Sequence, residues 1–228
     1  MHEALLTAVG AAAAELVLPG MRLGIGSGRT VGALLAALAP RVRQGLQFDA
    51  ACASRETAQI ARQAGIRVLP EEEVGALDLA IDGADVVTPQ LDCLKGLGGA
   101  LARERLVALG ARRFVLIAEE SKLRQDLSGL PVPIEVLPFA HVDTARRVRS
   151  LGLEPRLRQD AQGLPYRTDN GNFILDCTPQ GLRTPHALQE ALERLAGVVA
   201  TGYFLGMAQE ALLAGPDGIR RIAIQQTK

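Results

Sequence analysis

The sequence predicts an α/β protein in which a parallel sheet flanked by helices is followed by a smaller α+β unit. Up to Ala118, short apolar strands alternate with helical stretches about every ten to fifteen residues, the pattern of a parallel sheet with helical crossovers. After Leu130-Pro131-Val132-Pro133 the order becomes β-α-β-β-α-β, the split βαβ or ferredoxin-like arrangement. Polar loops, two of them rich in glycine, follow or connect strands of the first part, at the sheet edge where open α/β sheets bind ligands.

Residues 3–18 predict a helix, with Leu5, Leu6, Val9, Leu16 and Val17 roughly on one face and Pro19-Gly20 as its stop. Met21–Gly24 reads as a short strand entering a glycine loop that runs to Thr30. Thr30 or a near neighbour is placed to cap a helix over Val31–Leu38, which stops at Pro40. Phe48–Ala53 and Ile66–Leu69 read as strands around a helix at Arg55–Ala64. Leu77–Ile81 is a further strand. A long loop then leads to Lys95, a helix runs from about Gly99 to Leu109, and Phe114–Ala118 closes the series.

In the second part, Ile134–Leu137 predicts a strand, Val142–Leu151 a helix and Leu153–Arg158 a strand. Asp169-Asn170-Gly171 is a hairpin signal between β-prone stretches. A strand at Phe173–Asp176, a helix at His186–Leu195 and a strand at Val198–Phe204 complete the unit. Residues 131–204 are expected as a small domain inserted between 1–130 and 205–228, which together form the first.

The 228 residues are enough for a substantial core, and 25 basic side chains balance 25 acidic ones. A net charge of zero argues against the clustered basic surface that nucleic-acid binding needs. No apolar run reaches the roughly eighteen residues of a membrane span, Glu15 interrupting the best candidate. Met1-His2-Glu3 lacks the basic start of a signal peptide. Cys52, Cys93 and Cys177 form no CxxC pair, so neither a disulfide framework nor a zinc site is expected, and a cytoplasmic location fits best. His2, His141 and His186 have no metal-ligand spacing and read as surface or structural residues.

Three segments could carry chemistry. Gly24-Ile25-Gly26-Ser27-Gly28-Arg29-Thr30 is a glycine turn between strand and helix, where backbone N–H groups and the positive helix end suit an anion. It matches neither the dinucleotide fingerprint, whose third glycine would fall at Arg29, nor a P-loop. A purely structural turn is the alternative. Asp82-Gly83-Ala84-Asp85 sets two carboxylates three residues apart after an apolar strand, suited to dividing acid and base work, with a divalent metal or a plain polar turn as competing readings. Lys95-Gly96-Leu97-Gly98-Gly99 opens a second glycine loop, with Glu104 one turn into the helix beyond. There a carboxylate could take a proton next to a carbonyl while the lysine and backbone N–H groups stabilise the enolate; a surface Glu104 paired with Arg103 or Arg105 is the bland alternative.

The loops after the strands, at Gly24, at Ser54-Arg55-Glu56-Thr57, at Asp82 and at Glu119-Glu120-Ser121-Lys122, should gather at one sheet edge as an anion pocket with carboxylates and lysines beside it. In these segments the sequence resembles the type A ribose-5-phosphate isomerases. The resemblance continues through Leu130–Pro138 and Thr168-Asp169-Asn170-Gly171-Asn172 and covers nearly the whole chain in order. It implies an aldose–ketose isomerase that interconverts ribose 5-phosphate and ribulose 5-phosphate through an enediolate, in the non-oxidative pentose phosphate pathway, without metal or cofactor. It also implies a Rossmann-like domain with a small α+β lid, in a homodimer or homotetramer.

By the same resemblance Glu104 is the catalytic base, Asp82 and Asp85 hold sugar hydroxyls and assist ring opening, and Lys95 lies near the reacting oxygens. Lys122 is a further substrate contact, as are Ser27, Gly28, Arg29 and Thr30, Gly83 and Ala84, and Gly96, Leu97 and Gly98. The sequence departs from the family's usual pattern in five places. Ser27 and Arg29 replace a threonine and a serine in the first loop, Val86 replaces a glutamate, and Leu97 interrupts a glycine run. Leu6 and Thr7 stand where the first helix often carries lysines. The rival reading is a non-catalytic sugar-phosphate-sensing domain. Such a protein should carry a DNA-binding helix-turn-helix, and no basic segment precedes Gly24.

Overall fold

In the computed structural model, which describes residues 2–181 and 183–224, most of the expected apolar runs become strands and the alternation holds. Residues 225–228, expected in the first domain, lie outside the described residues. The first half runs α1 (His2–Ala14), β1 (Arg22–Ile25), α2 (Arg29–Arg43), β2 (Asp49–Cys52), α3 (Arg55–Gln63), β3 (Arg67–Val68), β4 (Leu79–Gly83), β5 (Val86–Val87), β6 (Cys93–Leu94), α4 (Leu101–Leu109) and β7 (Phe114–Glu119). Then follow β8 (Val132–Val136), α5 (His141–Ser150), β9 (Leu153–Leu157), β10 (Phe173–Pro179), α6 (Pro185–Glu193), β11 (Val198–Thr201), β12 (Tyr203–Phe204), β13 (Glu210–Gly215) and β14 (Gly218–Ala223).

Seven strands form one sheet in the order β14-β13-β7-β4-β1-β2-β3. All neighbours are parallel except the hairpin β13–β14. Its central strands are buried on both faces, which explains their near-continuous apolar sequence. Helices α1 and α2 pack with the residues of one face, and Val107 and Ala108 of α4 with those of the other. The second part folds as β-α-β-β-α-β into an antiparallel sheet of order β11-β8-β10-β9 with its own core around Val132, Ile134, Leu175 and Leu188.

Several boundaries differ from the sequence reading. Helix α1 ends at Ala14, not residue 18, because the Arg41 guanidinium reaches across to the Ala14 and Val17 carbonyls and satisfies the helix end there. Helix α2 runs through Pro40 to Arg43: a proline in the last turn removes a single ladder donor, and the Pro40 carbonyl still accepts from Gln44 N–H. Its N-cap is Gly28, with no side-chain cap from Thr30. Strand β4 begins two residues later than expected, so Asp82 and Gly83 lie within it, paired with Leu116 and Ile117.

The loop between Asp82 and Lys95 holds a small hairpin, β5–β6, which β12 extends into a three-stranded sheet. This hairpin carries the chain back so that Lys95 returns beside Gly83. The strand expected over 198–204 breaks at Gly202, whose carbonyl accepts Lys95 N–H at 2.9 Å. A Cβ there would lie 2.4 Å from the Lys95 carbonyl oxygen. Asp169-Asn170-Gly171 is a local turn inside a long β9–β10 connection, not the hairpin's own two-residue turn. Thr168, Asn170 and Asn172 all donate side-chain hydrogen bonds to the buried Glu135 Oε1.

Helices α1 and α2 cross at Gly10, where a Cβ would sit 2.6 Å from the Ala33 carbonyl carbon and 2.8 Å from Leu34 N. Backbone cannot yield there as a side chain can. We expect Gly10→Ala to lower unfolding free energy by about 1–3 kcal/mol despite alanine's better helix propensity, measured by urea denaturation. A stability equal to or above that of the parent would show that the two helices separate freely.

Candidate active site

The sheet reverses its strand order between β1 and β4: β2 and β3 are added on one side, β7 and β13 on the other. In open α/β sheets that reversal opens a crevice at the carboxyl ends of the strands. A cavity of about 330 Å³ lies there. Ser27, Gly28, Arg29, Thr30, Gly83, Ala84, Asp85, Lys95, Gly96, Leu97, Gly98, Glu104 and Lys122 all line it, so the structure gathers nearly every residue singled out from the sequence. The Ser54–Thr57 segment does not line it. Ser54 instead caps α3 by accepting Thr57 N–H, and touches the site through a hydrogen bond from the Ser27 hydroxyl.

Asp82 is the other exception. Its carboxylate is buried in β4, accepts Ser27 N–H at 3.2 Å and Gly83 N–H at 2.7 Å, and forms an ion pair with the Lys95 ammonium at 2.8 Å. Gly26 makes this approach feasible, since a Cβ at that position would fall 1.8 Å from the Asp82 carboxyl carbon. Lys95, only 3% exposed, donates to the Gly83 carbonyl at 2.6 Å, and its ammonium stands 2.8 Å from Asp82 Oδ2 and 3.4 Å from Glu104 Oε2. Both carboxylate contacts are ion pairs. Glu104 Oε2 is buried with no hydrogen-bond partner.

The charges are strongly coupled. Burial raises the Glu104 pKa to about 8, the nearby ammonium of Lys95 restrains the rise, and the negative charges of Asp82 and Asp85 add to it. Burial also raises Asp82, against Lys95 and the two backbone donors. For Lys95 burial disfavours the cation, but Asp82 and Glu104 together outweigh it and the pKa rises. A carboxylate near pH 8 with an unpartnered oxygen beside a cavity has the properties of a general base.

Elsewhere in the cavity, α2 begins after its N-cap Gly28, which has φ 92° and gives no side-chain cap, so the first N–H groups of the helix have no capping side chain. Arg29 is exposed beside it. Lys122 donates to the Ala84 carbonyl at 2.6 Å, and its pKa is lowered by burial, against Asp85 and Glu119, with Lys95 and Arg29 adding like-charge repulsion. Asp85 accepts Leu97 N–H at 3.0 Å.

His2, Leu6 and Glu119 also line the cavity, and His2 Nδ1 meets Glu119 Oε1 at 2.7 Å. The sequence reading placed His2 outside the site. Nothing local marks it, because α1 reaches the pocket only by packing across the sheet. His141 is structural as expected: its Nδ1 meets the Pro138 carbonyl and its ring stands edge-on to Phe173.

Residues 50–218 match the family model described as ribose 5-phosphate isomerase A (phosphoriboisomerase A). The chain belongs to this family. It is 44% identical over 223 residues to a ribose-5-phosphate isomerase A of a Synechococcus species, with 96% of this chain and 97% of that one covered. To the Chloroflexus aurantiacus protein of the same name it is 44% identical, with 93% and 90% covered. The fold superposes on the Methanocaldococcus jannaschii isomerase with a TM-score of 0.92 at 31% identity, covering 98% of this chain and all of the other. A D-ribose-5-phosphate isomerase in complex with phospho-erythronic acid gives 0.92 at 27% identity, covering 97% and 99%. The relatives named here are isomerases, and the sensing-domain alternative finds no support among them. No helix among the described residues is long and apolar enough to cross a membrane.

A carboxylate must lose its proton to act as a base, so with Glu104 in that role activity should follow its ionisation upward. With a pKa raised to about 8, kcat/KM should climb through neutral pH and level off above about 8. The second ionisation of a phosphate ester, near 6, is complete over most of that range. Initial rates across pH 5.5–9.5, a range chosen to bracket about 8, would show this; a profile already flat at pH 6 would mean the base is some other group.

Proposed function

We propose that this cavity carries the family's reaction, with Glu104 moving the proton between C2 and C1 of the open-chain sugar. Glu104 takes the C2 proton of ribose 5-phosphate, the electron pair enters the C2–C1 bond, and the O1 carbonyl becomes an enediolate oxygen. The proton is returned to C1 while the O2 proton passes to O1, so that O2 becomes the carbonyl and O1 the hydroxyl of ribulose 5-phosphate. Lys95, with backbone N–H groups of the 96–99 loop not already bonded within the chain, offsets the enediolate charge. The observation that carries the reading is Glu104 itself, a buried carboxylate that lines the cavity with no hydrogen bond to Oε2 and the Lys95 ammonium 3.4 Å away.

Asp85 faces the cavity and is placed to hold sugar hydroxyls and assist ring opening. We give Asp82 a holding role instead: its acceptors are spent on Lys95, Ser27 and Gly83, so it acts on the sugar through Lys95. The phosphate is assigned to the uncapped start of α2, with Arg29 supplying the cation that Leu6 and Thr7 do not. The complex of a relative with phospho-erythronic acid, itself a phosphorylated sugar acid, is consistent with such a ligand. In the wider reading the chain works in the cytoplasm on the pentose phosphate pathway as a homodimer or homotetramer, its smaller unit bounded at 131 and 204. Exposed apolar side chains on one flank, with Phe139 88% exposed beside Leu137 and Val142, support association.

The direct test is conversion of ribose 5-phosphate to ribulose 5-phosphate in excess chelator, for the parent and for Glu104→Gln. The parent should be active. The variant should lose about a hundredfold or more in kcat with KM nearly unchanged. A parent active only with added divalent ion, or a variant of near-normal kcat, would overturn the assignment.

Arg29→Ala tests the phosphate end. A charge-assisted hydrogen bond is worth about 1.5–3 kcal/mol, so KM should rise about tenfold or more at low salt while kcat holds. The difference should shrink as ionic strength rises. An unchanged low-salt KM would make Arg29 a bystander.

A further inference from the structure

The loop that follows Lys95 is held from outside the cavity by a side chain of the second sheet. Arg158, just beyond β9, donates from one terminal nitrogen to the Gly96 carbonyl at 2.9 Å and to the Leu97 carbonyl at 3.1 Å. Its other two nitrogens are fixed by Asp176 on β10, Nε bonding Oδ2 at 2.9 Å and the second terminal nitrogen bonding Oδ1. Its backbone is pinned as well, with N–H on the Ile174 carbonyl and C=O accepting from Tyr166 N–H. The Tyr166 ring lies 5.9 Å from the guanidinium, and its hydroxyl reaches toward the Gly98 carbonyl at 3.5 Å. Gly99 admits that hydroxyl, since a Cβ there would fall 2.3 Å from it.

Three successive carbonyls, those of Gly96, Leu97 and Gly98, are thus drawn toward Arg158 and Tyr166. In a trans peptide the N–H points opposite its carbonyl, so the N–H groups of Leu97, Gly98 and Gly99 are turned the other way. Leu97 N–H is taken by Asp85, and Gly99 N–H by the Gly96 carbonyl. Gly98 N–H has no partner among the described residues, and Gly98 lines the cavity.

We infer that Arg158 is a positioning residue that sets the Leu97–Gly98 peptide plane so that Gly98 N–H serves as a fixed donor to the sugar oxygen that gains charge in the enediolate. The inference rests on the reading of this cavity as the isomerase site. It gives the second sheet a part in catalysis without contact to substrate. A backbone donor held in this way needs no reorganisation as charge develops, which is why its orientation matters more to the transition state than to the bound sugar.

The test compares Arg158→Met, which keeps the stem but removes the donors, with Arg158→Lys, which offers a single ammonium in place of the braced fork. For Arg158→Met, kcat should fall about ten- to hundredfold, KM should stay within about twofold, and thermal unfolding should remain near that of the parent. Arg158→Lys should recover part of the loss. Phospho-erythronic acid, whose carboxylate can take the place of the enediolate oxygens, should bind Arg158→Met about tenfold or more weakly, while inorganic phosphate binds as before.

An Arg158→Met enzyme with parental kcat and parental affinity for the acid would overturn the inference. So would a loss shared equally by phosphate, or one accounted for by a smaller folded fraction on active-site titration. In each of those cases the parent's activity and the defect of Glu104→Gln would still stand, so the reading of the cavity is judged separately.

Discussion

A lysine ammonium buried between two carboxylates sets the terms for the rest of this molecule. Removing Lys95, Asp82 and Glu104 from water costs several kcal/mol per ion, and their mutual attraction offsets this only when the geometry is close and the remaining hydrogen-bonding groups are used. Asp82 meets that condition with two backbone N–H groups and the ammonium. Lys95 meets it with Asp82 and the Gly83 carbonyl. Glu104 does not. It is the member of the trio whose Oε2, though 3.4 Å from the ammonium, lacks a hydrogen bond, and burial raises its pKa to about 8 against the pull of Lys95. The imbalance is the chemistry: a fully satisfied carboxylate would be a poor proton acceptor.

Holding such a cluster constrains chain well beyond it. Gly26 must lack a side chain for Asp82 to lie against β1, and Gly202 must lack one where the chain leaves β11 across the Lys95 carbonyl. The β5–β6 hairpin exists at the right length to return Lys95 to the end of β4. Pro133 of β8 accepts Gly202 N–H through its carbonyl, which ties the second sheet to the same point. The two sheets therefore meet at Lys95 itself, and the apolar residues of β5, β6 and β12 close off solvent around it.

Much of this was legible in the sequence, for definite reasons. β1, β2 and β7 are apolar runs bounded by glycine or polar turns, so they stood out, and the loops after them fell at one sheet edge by topology alone. The convergence of Asp85 and Lys122 follows from that placement, whereas Lys95 and Glu104 join them through the β5–β6 hairpin, and in the sequence only the family resemblance put them there. What escaped were features set by tertiary contact. β5 and β6 have two residues each, too few to show a period. Asp82 looked like a loop acid because a charged residue in a buried strand contradicts local pattern; only the Lys95 partner makes it tolerable. His2 joins the cavity through α1 packing, and Pro40 is absorbed because it falls in a last turn. Asn170-Gly171 has the chemistry of a hairpin turn, but its surroundings are ruled by Glu135, buried on another strand.

The cavity is also polar along its length, and this separates binding from chemistry. In open-chain ribose 5-phosphate the phosphate on C5 is remote from the C1–C2 bond, so on the assignment proposed above the guanidinium and the start of α2 face one end of the sugar and Glu104 the other. A phosphate drawn to the first end orients the sugar before any proton moves. It must also stay there. Two unit charges 4 Å apart interact by about 4 kcal/mol at an effective dielectric of 20, and by half that at twice the distance. A dianion close to Glu104 would push a base already raised to about 8 still higher, and leave less of it ionised at neutral pH. On the proposed assignment, placing Arg29 and the start of α2 at the far end does two things at once: it captures the phosphate, and it keeps the phosphate's charge away from Glu104.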